Sequence, residues 1–261
     1  MNKYNTENLL SLAEAKEKSR INQKKILKFL YAEKYSTSRI LKELVSIKTK
    51  SGMCRLLRKM AKNKMVKKHQ YSYSVVLWGI THSGIHETIE PHEEITDWTY
   101  FEPSKVNLSS LEHKLAIQQL HVICVRQNLP FKTGRALGSR ASSDKMPDAI
   151  ITIGNTIIPC EIENYIKSRR RYDGIIYNYL KGIKAGKYDD ILYIAPTPKK
   201  RDKIKKIFLT MKKITMTVNG RKVPLKPNPE KHLGFFHFIC QQDTETYLAD
   251  LKKSLGYPHR I

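Results

Sequence analysis

Two runs rich in Ile and Thr, Pro147-Asp148-Ala149-Ile150-Ile151-Thr152-Ile153 and Thr156-Ile157-Ile158-Pro159-Cys160-Glu161-Ile162-Glu163, flank a Gly154-Asn155 pair. Such runs around such a pair predict two strands joined by a two-residue hairpin turn. The turn sets the register: Ile153 opposes Thr156, Ile151 opposes Ile158, and Asp148 opposes Glu161. Glu163 shares their face because strand side chains alternate with period two. Three carboxylates at the open end of an apolar hairpin repel one another unless shared protons or a divalent cation offset the charge. The pattern therefore predicts a metal site made of Asp148, Glu161 and Glu163, with the Ile162 carbonyl as a further ligand.

The chain has 261 residues, 40% of them hydrophobic, enough for one good core or two small ones. Its 48 Lys and Arg against 24 Asp and Glu leave a formal charge of +24. That excess is far beyond what solubility requires and points to a polyanionic partner. No apolar run reaches the roughly 18 residues of a membrane span, and the N-terminus lacks a signal-peptide core. The expectation is no membrane insertion, a cytoplasmic location and a nucleic-acid partner. Cys54, Cys124, Cys160 and Cys240 are dispersed without CxxC spacing, which indicates neither a zinc ribbon nor a disulfide framework but small buried residues.

Charge divides the chain. Ile21 to Lys68 carries 15 basic residues and two acids, Glu33 and Glu43, whereas His86 to Pro103 carries six acids and no Lys or Arg, with prolines at 91 and 103. The second stretch reads as a linker. In the first, Ser36-Thr37-Ser38 offers helix caps before the stripe Ile40, Leu41, Leu44 and Val45. After Ser51-Gly52 comes a second stripe, Met53, Leu56, Leu57 and Met60, with Arg55, Arg58, Lys59 and Lys62 on another face. Met65–Gln70 and Tyr73–Trp78 read as strands around Tyr71-Ser72, closed by Gly79-Ile80-Thr81-His82-Ser83-Gly84. This is the order of a winged helix. Its cationic helix would enter the major groove, with Lys67, Lys68 and His69 reaching flanking phosphates; the bland alternative is a solvated charged face that binds nothing.

In the second half, a helix is expected from about Ser110 to Gln127. Ser109-Ser110-Leu111-Glu112 matches a capping box, so Glu112 either returns a hydrogen bond to the helix start or stands near the metal. Lys132 to Lys145, with Arg135 and Arg140, reads as a basic loop or short strand able to touch phosphates. Ser168 can cap a helix with the stripe Tyr172, Ile175, Ile176, Tyr179, Leu180 and Ile183, whose tyrosines are then core. Ile191–Ala195 is a buried strand, Lys199 to Lys212 a basic helix, and strands follow at 215–218, 222–225 and 234–240, with a helix near 245–255. The fold class expected is α/β, α+β overall: an N-terminal winged helix-turn-helix followed by a restriction-endonuclease-like αβββαβ domain whose first strand lies within 128–137. The boundaries are an extension over 1–20, the winged helix over 21–85, the linker over 86–106 and the nuclease-like domain over 107–261.

Phosphodiester cleavage needs an activated water, charge neutralisation and help for the leaving oxygen, all of which carboxylate-bound Mg2+ or Mn2+ can supply. Pro147-Asp148, twelve residues, then Glu161-Ile162-Glu163 resembles the PD-(D/E)xK nuclease pattern, with Glu163 where lysine is usual. Lys167 is the candidate for a migrated lysine; Glu163 is either a further ligand or a base one step removed from the metal. The alternative is a surface hairpin with exposed acids, or a nuclease-like fold that has lost catalysis.

Leu77-Trp78-Gly79-Ile80-Thr81-His82-Ser83-Gly84, Leu111-Glu112-His113-Lys114-Leu115-Ala116, Pro147-Asp148-Ala149, and Glu161-Ile162-Glu163 followed by Lys167-Ser168-Arg169 together resemble the replication-relaxation family, which includes the MOBC relaxases of mobilizable plasmids. The likeness covers about residues 20 to 210 and rests on the order of the motifs. It implies an acidic centre of Asp148, Glu161 and Glu163, with Lys167 beside it and Glu112 or His113 nearby, and Arg169 and Arg170 on DNA. It also implies metal-dependent nicking of one strand of duplex DNA at a plasmid transfer origin, with accessory relaxosome proteins and a type IV coupling protein as partners. No HxH motif of the other relaxases occurs, and Tyr165 remains a candidate covalent nucleophile. The competing expectation is a non-catalytic winged-helix protein, a replication initiator or transcriptional regulator.

Overall fold

The computed structural model describes residues 11–88, 95, 97–134, 146–211, 213–218, 221–225 and 229–256. The chain is mixed α/β and divides into two compact units, 1–118 and 119–261.

The first unit begins with α1 (Leu12–Glu33), opened by a capping box in which Ser11 and Glu14 exchange backbone-to-side-chain hydrogen bonds of 2.7 and 3.2 Å. Leu12 to Arg20, assigned to an extension from the sequence, are thus helical. After β1 (Tyr35–Ser36) come α2 (Ser38–Leu44) and α3 (Lys50–Lys62). Thr37 caps α2 as expected. The α3 helix starts earlier than expected because Thr49, not Ser51, accepts the orphan N–H, that of Gly52, at 3.1 Å. Met53, Leu56, Leu57 and Met60 are buried as the stripe predicted.

The ribbon consists of β2 (Val66–Gln70) and β3 (Val76–Ile80), followed by α4 (His82–His86). Gln70 pairs with Val76, so β3 lies three residues later than the expected Tyr73–Trp78 strand. Ser72 Oγ accepts the Val75 N–H at 3.2 Å, and Tyr71 donates its hydroxyl to the Pro103 carbonyl at 2.7 Å. These contacts hold 71–75 as a connection. The small sheet has the order β1-β3-β2, with Tyr35 opposite Gly79.

The expected linker is partly built into this unit. Phe101 is 2% exposed, its N–H donates to the Ile80 carbonyl at 2.9 Å, and its ring covers Gly79, where an added Cβ would sit 2.0 Å from Phe101 Cγ. Lys34 pairs with Asp97 at 2.7 Å.

The second unit starts inside α5 (Leu111–Arg126) and continues with β4 (Phe131–Thr133), β5 (Ala149–Ile153), β6 (Thr156–Ile162), α6 (Arg169–Lys184), β7 (Ile191–Ala195), α7 (Pro198–Leu209), β8 (Ile214–Val218), β9 (Arg221–Leu225), α8 (Pro229–His232), β10 (Phe236–Cys240) and α9 (Thr244–Ser254). Its main sheet has the order β10-β7-β6-β5-β4. β4, β5 and β6 run as an antiparallel meander; β6, β7 and β10 are parallel. Ladder pairing with β7 begins at Cys160, one residue after Pro159, so the missing proline N–H interrupts no bond there. On one face Tyr172, Ile175, Ile176 and Tyr179 of α6 pack with Ile191, Tyr193, Ala195, Ile204, Phe208 and Phe236. Ala149, Ile151, Ile158, Cys160, Leu192 and Ile194, of opposite parity, are buried too. Both faces are covered, as parallel strands require.

Gly79→Ala should destabilise the first unit by about 1–3 kcal/mol through overpacking against Phe101; an unchanged urea midpoint would refute that seating. Burial pushes the Asp97 carboxyl up from its ordinary 3.8, but the charge and hydrogen bond of Lys34, with hydrogen bonds to Thr99, outweigh it and hold the group at about 2. Its stabilising contribution is therefore present above the ordinary value and lost as pH falls through the folded one. Asp97→Asn should cost less than about 1 kcal/mol near neutrality for this half-exposed pair, with the difference from the parent shrinking in denaturation curves as pH falls toward 2.

Candidate functional site

The β5–β6 ladder runs from Ile153↔Thr156 to Ala149↔Cys160, the register expected from the sequence. Gly154 adopts a φ of 59° at the first turn position, where glycine is unstrained. The ladder stops at Ala149↔Cys160: the Asp148 N–H donates to the Cys160 carbonyl at 3.1 Å, so Asp148 stands just outside β5, at the end of the pair, and not in register with Glu161 as the sequence predicts. Glu161 pairs in turn with Tyr193, and Tyr193 with Phe238. Glu161, Tyr193 and Phe238 thus form one row across three strands, on the face covered by α6 and α7, with Asp148 at the end of β5 beside it. Gly134 serves this end of the sheet: an added Cβ would lie 2.1 Å from the Pro147 carbonyl oxygen.

Burying carboxylates is costly unless each finds a partner. Glu161 is 2% and Glu163 3% exposed. The Tyr179 hydroxyl donates to Glu161 Oε1 in a short hydrogen bond. Lys167 Nζ donates to both oxygens of Glu163, at 2.6 and 2.5 Å. Asp148 Oδ2 accepts the Ile162 N–H at 2.8 Å, closing the end of the β5–β6 ladder. Each acid therefore has a structural duty. Among the described residues, no three or more His, Cys, Asp or Glu side chains form a group that could hold a metal ion.

The phenols around the acids are held protonated. Burial, then the Glu161 charge, pushes Tyr179 well above 10. Burial and the charges of Glu161 and Glu163 do the same to Tyr193. Tyr172 is raised to about 12, mainly by burial, although the Lys167 N–H donated to its hydroxyl opposes the shift. None of the three is a ready phenolate nucleophile at neutral pH. Burial likewise pushes the Cys160 thiol well up. Among the described residues, four buried side-chain polar atoms lack a hydrogen-bond partner, and two of them lie by the acids: the Tyr193 hydroxyl, paired across the sheet with Glu161, and Asn164 Nδ2, next to Glu163. Lys200 Nζ donates to the Asn164 carbonyl at 2.7 Å and lies 5.4 Å from the centre of the Tyr165 ring. Tyr165 is 69% exposed.

The structure thus brings Asp148, Glu161, Glu163 and Lys167 to one end of β5 and β6. Glu112 and His113 lie on the first turn of α5, in the first unit. Asn107 marks the approach to that helix, accepting the Ser109 N–H at 3.0 Å. Arg169 and Arg170 are exposed at the start of α6, where Arg169 donates to the Thr210 carbonyl at 2.9 Å. Ser168 stands at the N-cap but makes no side-chain cap bond. Arg55, Arg58, Lys59, Lys62, Lys67 and Lys68 are all exposed, and Lys50, Ser51, Cys54, Arg55 and Arg58 line a hollow on α3. Arg135 and Arg140 lie outside the described residues. The sequence reading missed the roles of Tyr179, Tyr193 and Lys200. Periodicity identified Tyr179 as core but gave no sign that its polar tip meets Glu161.

Tyr179→Phe should destabilise the second unit by about 1–3 kcal/mol, because Glu161 loses its buried donor, whereas Tyr193→Phe should be neutral or stabilising. Guanidinium unfolding of the two variants reads the contrast, and equal losses would contradict the assigned partners. Comparison of the chain with protein-family models, with curated proteins and with solved structures gave no match.

Proposed function

We propose that the chain binds duplex DNA through its first unit and nicks one strand through its second, in a Mg2+- or Mn2+-dependent reaction of the kind the MOBC resemblance implies. On this reading, the first unit is a winged helix and the second a restriction-endonuclease-like domain. The observation that carries the proposal is the crossover β6-α6-β7 beside an antiparallel meander, with Asp148 bonded to the Ile162 N–H next to Glu161 and Lys167 bonded to Glu163. For DNA binding, support comes from the formal charge of +24 and the exposed basic face of α3.

The donor chemistry suits a hard cation: carboxylate oxygens without thiolate or imidazole. Magnesium typically takes one or two carboxylates and completes its shell with water and phosphate oxygens, a mode that Asp148 and Glu161 fit. Bound there, the ion would supply an activated water and neutralise developing charge. The chain's own residues do the rest. Tyr179 orients Glu161, Glu163 holds Lys167 at the edge of the site, and Lys167 offers a cation to an incoming phosphate. Glu163 becomes a ligand only by releasing Lys167.

One observation favours the non-catalytic reading: each of the three acids already has a structural partner. Incubating the protein with supercoiled plasmid carrying its own origin, with and without magnesium, separates the two. Magnesium-dependent nicking that Asp148→Ala and Glu161→Ala each abolish is the expected outcome; nicking unchanged in both variants would sink the metal-nuclease reading. Replacing Arg55, Arg58 and Lys59 by Ala should weaken duplex binding and flatten the dependence of log K on log salt by about 3.

A further inference from the structure

A second candidate surface lies in the first unit, away from the basic face of α3 as a sequence motif but joined to its end. His82 and Trp98 stack with ring centres 5.0 Å apart and planes at 19°. His86 meets the edge of Trp98 at 5.0 Å, and Tyr100 meets His82 at 6.1 Å. Both histidines are exposed; Trp98 is 45% and Tyr100 43% exposed. The other tryptophan, Trp78, is 5% exposed, so the fold buries one indole and leaves the other at the surface.

The cluster is held from both sides. Phe101 is anchored on Ile80 and Gly79, and the Asp97 N–H donates to the Tyr31 hydroxyl at 3.1 Å. Thr81, at the cap of α4, donates its hydroxyl to the carbonyls of Lys64 and Met65. The residue before His82 is thus fixed on the backbone of the exposed Lys64, two residues past the end of α3 at Lys62, which is exposed as well. Among the described residues, the neighbouring acids are Asp97, paired with Lys34, Glu102, paired with Lys105, each at 2.7 Å, and the exposed Glu87; Glu90, Glu93 and Glu94 lie outside the described residues.

The geometry points to a stacking platform for an unpaired base of single-stranded DNA, with Trp98 as its centre and Lys62 and Lys64 taking the adjoining phosphates. An exposed, anchored indole next to cations combines the two contacts that single-strand binders use, base stacking and backbone charge. Bases in a duplex are already stacked and leave such a platform idle. The inference rests on the DNA-binding reading of the first unit and adds a strand state to it.

The test uses the full chain and intrinsic fluorescence, with oligothymidylate and a duplex of equal length as probes. Oligothymidylate should quench the Trp98 emission while Trp78 supplies a constant background, and the duplex should bind without comparable quenching. Trp98→Ala should weaken oligothymidylate binding roughly tenfold, leave duplex affinity within about twofold, and lose the quenching; Trp98→Phe, which keeps a ring and guards against a folding defect, should recover most of the affinity. Duplex binding with no response of Trp98 to oligothymidylate would overturn the platform while leaving the duplex reading intact. Equal quenching by both probes, or undiminished oligothymidylate binding by Trp98→Ala, would overturn it as well. Absence of binding to either probe would remove the DNA reading itself.

Discussion

The placement of carboxylates inside an apolar sheet is the constraint on which the second unit depends. Glu161 and Glu163 are almost inaccessible, and a buried carboxylate without a partner costs several kcal/mol. Around them the fold places a phenol from α6 for Glu161 and a lysine from the approach to α6 for Glu163, while Asp148 beside them takes the Ile162 N–H at the end of the ladder. An apolar row across the same strands would pack with fewer demands. Acids there, with a neighbouring phenol left unpartnered, leave polar demands inside the sheet that an apolar row would not make.

The first unit is governed by a different kind of fit. Gly79 lies under the Phe101 ring, and no side chain can stand between them. That contact draws an acidic, proline-containing segment onto the ribbon and turns what composition describes as a spacer into part of a core with Tyr35, Leu77 and Leu111. The same contact holds the segment from Asp97 to Phe101, so the position of Trp98 follows from a glycine in a strand nineteen residues earlier.

How much the sequence reveals depends on how local the cause is. The β5–β6 register was readable because Gly154-Asn155 permits one tight turn and alternation does the rest; Ile153↔Thr156 and Ala149↔Cys160 follow without reference to other elements. The stripes of α3 and α6 were readable for the same reason. The ribbon and its first strand were readable too, but the start of its second strand was not, because Tyr73, Val75 and Val76 all have strand propensity, and the choice is made by Tyr71 reaching Pro103 and by β1 pairing at Tyr35↔Gly79. That part of the expected linker packs on the ribbon was not readable, because Glu-rich composition says nothing about where one phenylalanine can seat. At the site, the acids and Lys167, four residues after Glu163, were visible, but the meeting of Tyr179 with Glu161 was not, because it requires the crossover that folds α6 back over β6.

The sheet order has a consequence for assembly. The β5–β6 hairpin closes over a two-residue turn, and Lys167 follows Glu163 by four positions, so this region can organise from local contacts. By contrast, Phe236 pairs with Ile191 across the residues of α7, β8, β9 and α8, and pairings of such separation form slowly. The sequence separations therefore favour Glu163 meeting its counter-charge, Lys167, through local contacts ahead of the docking of β10 on β7.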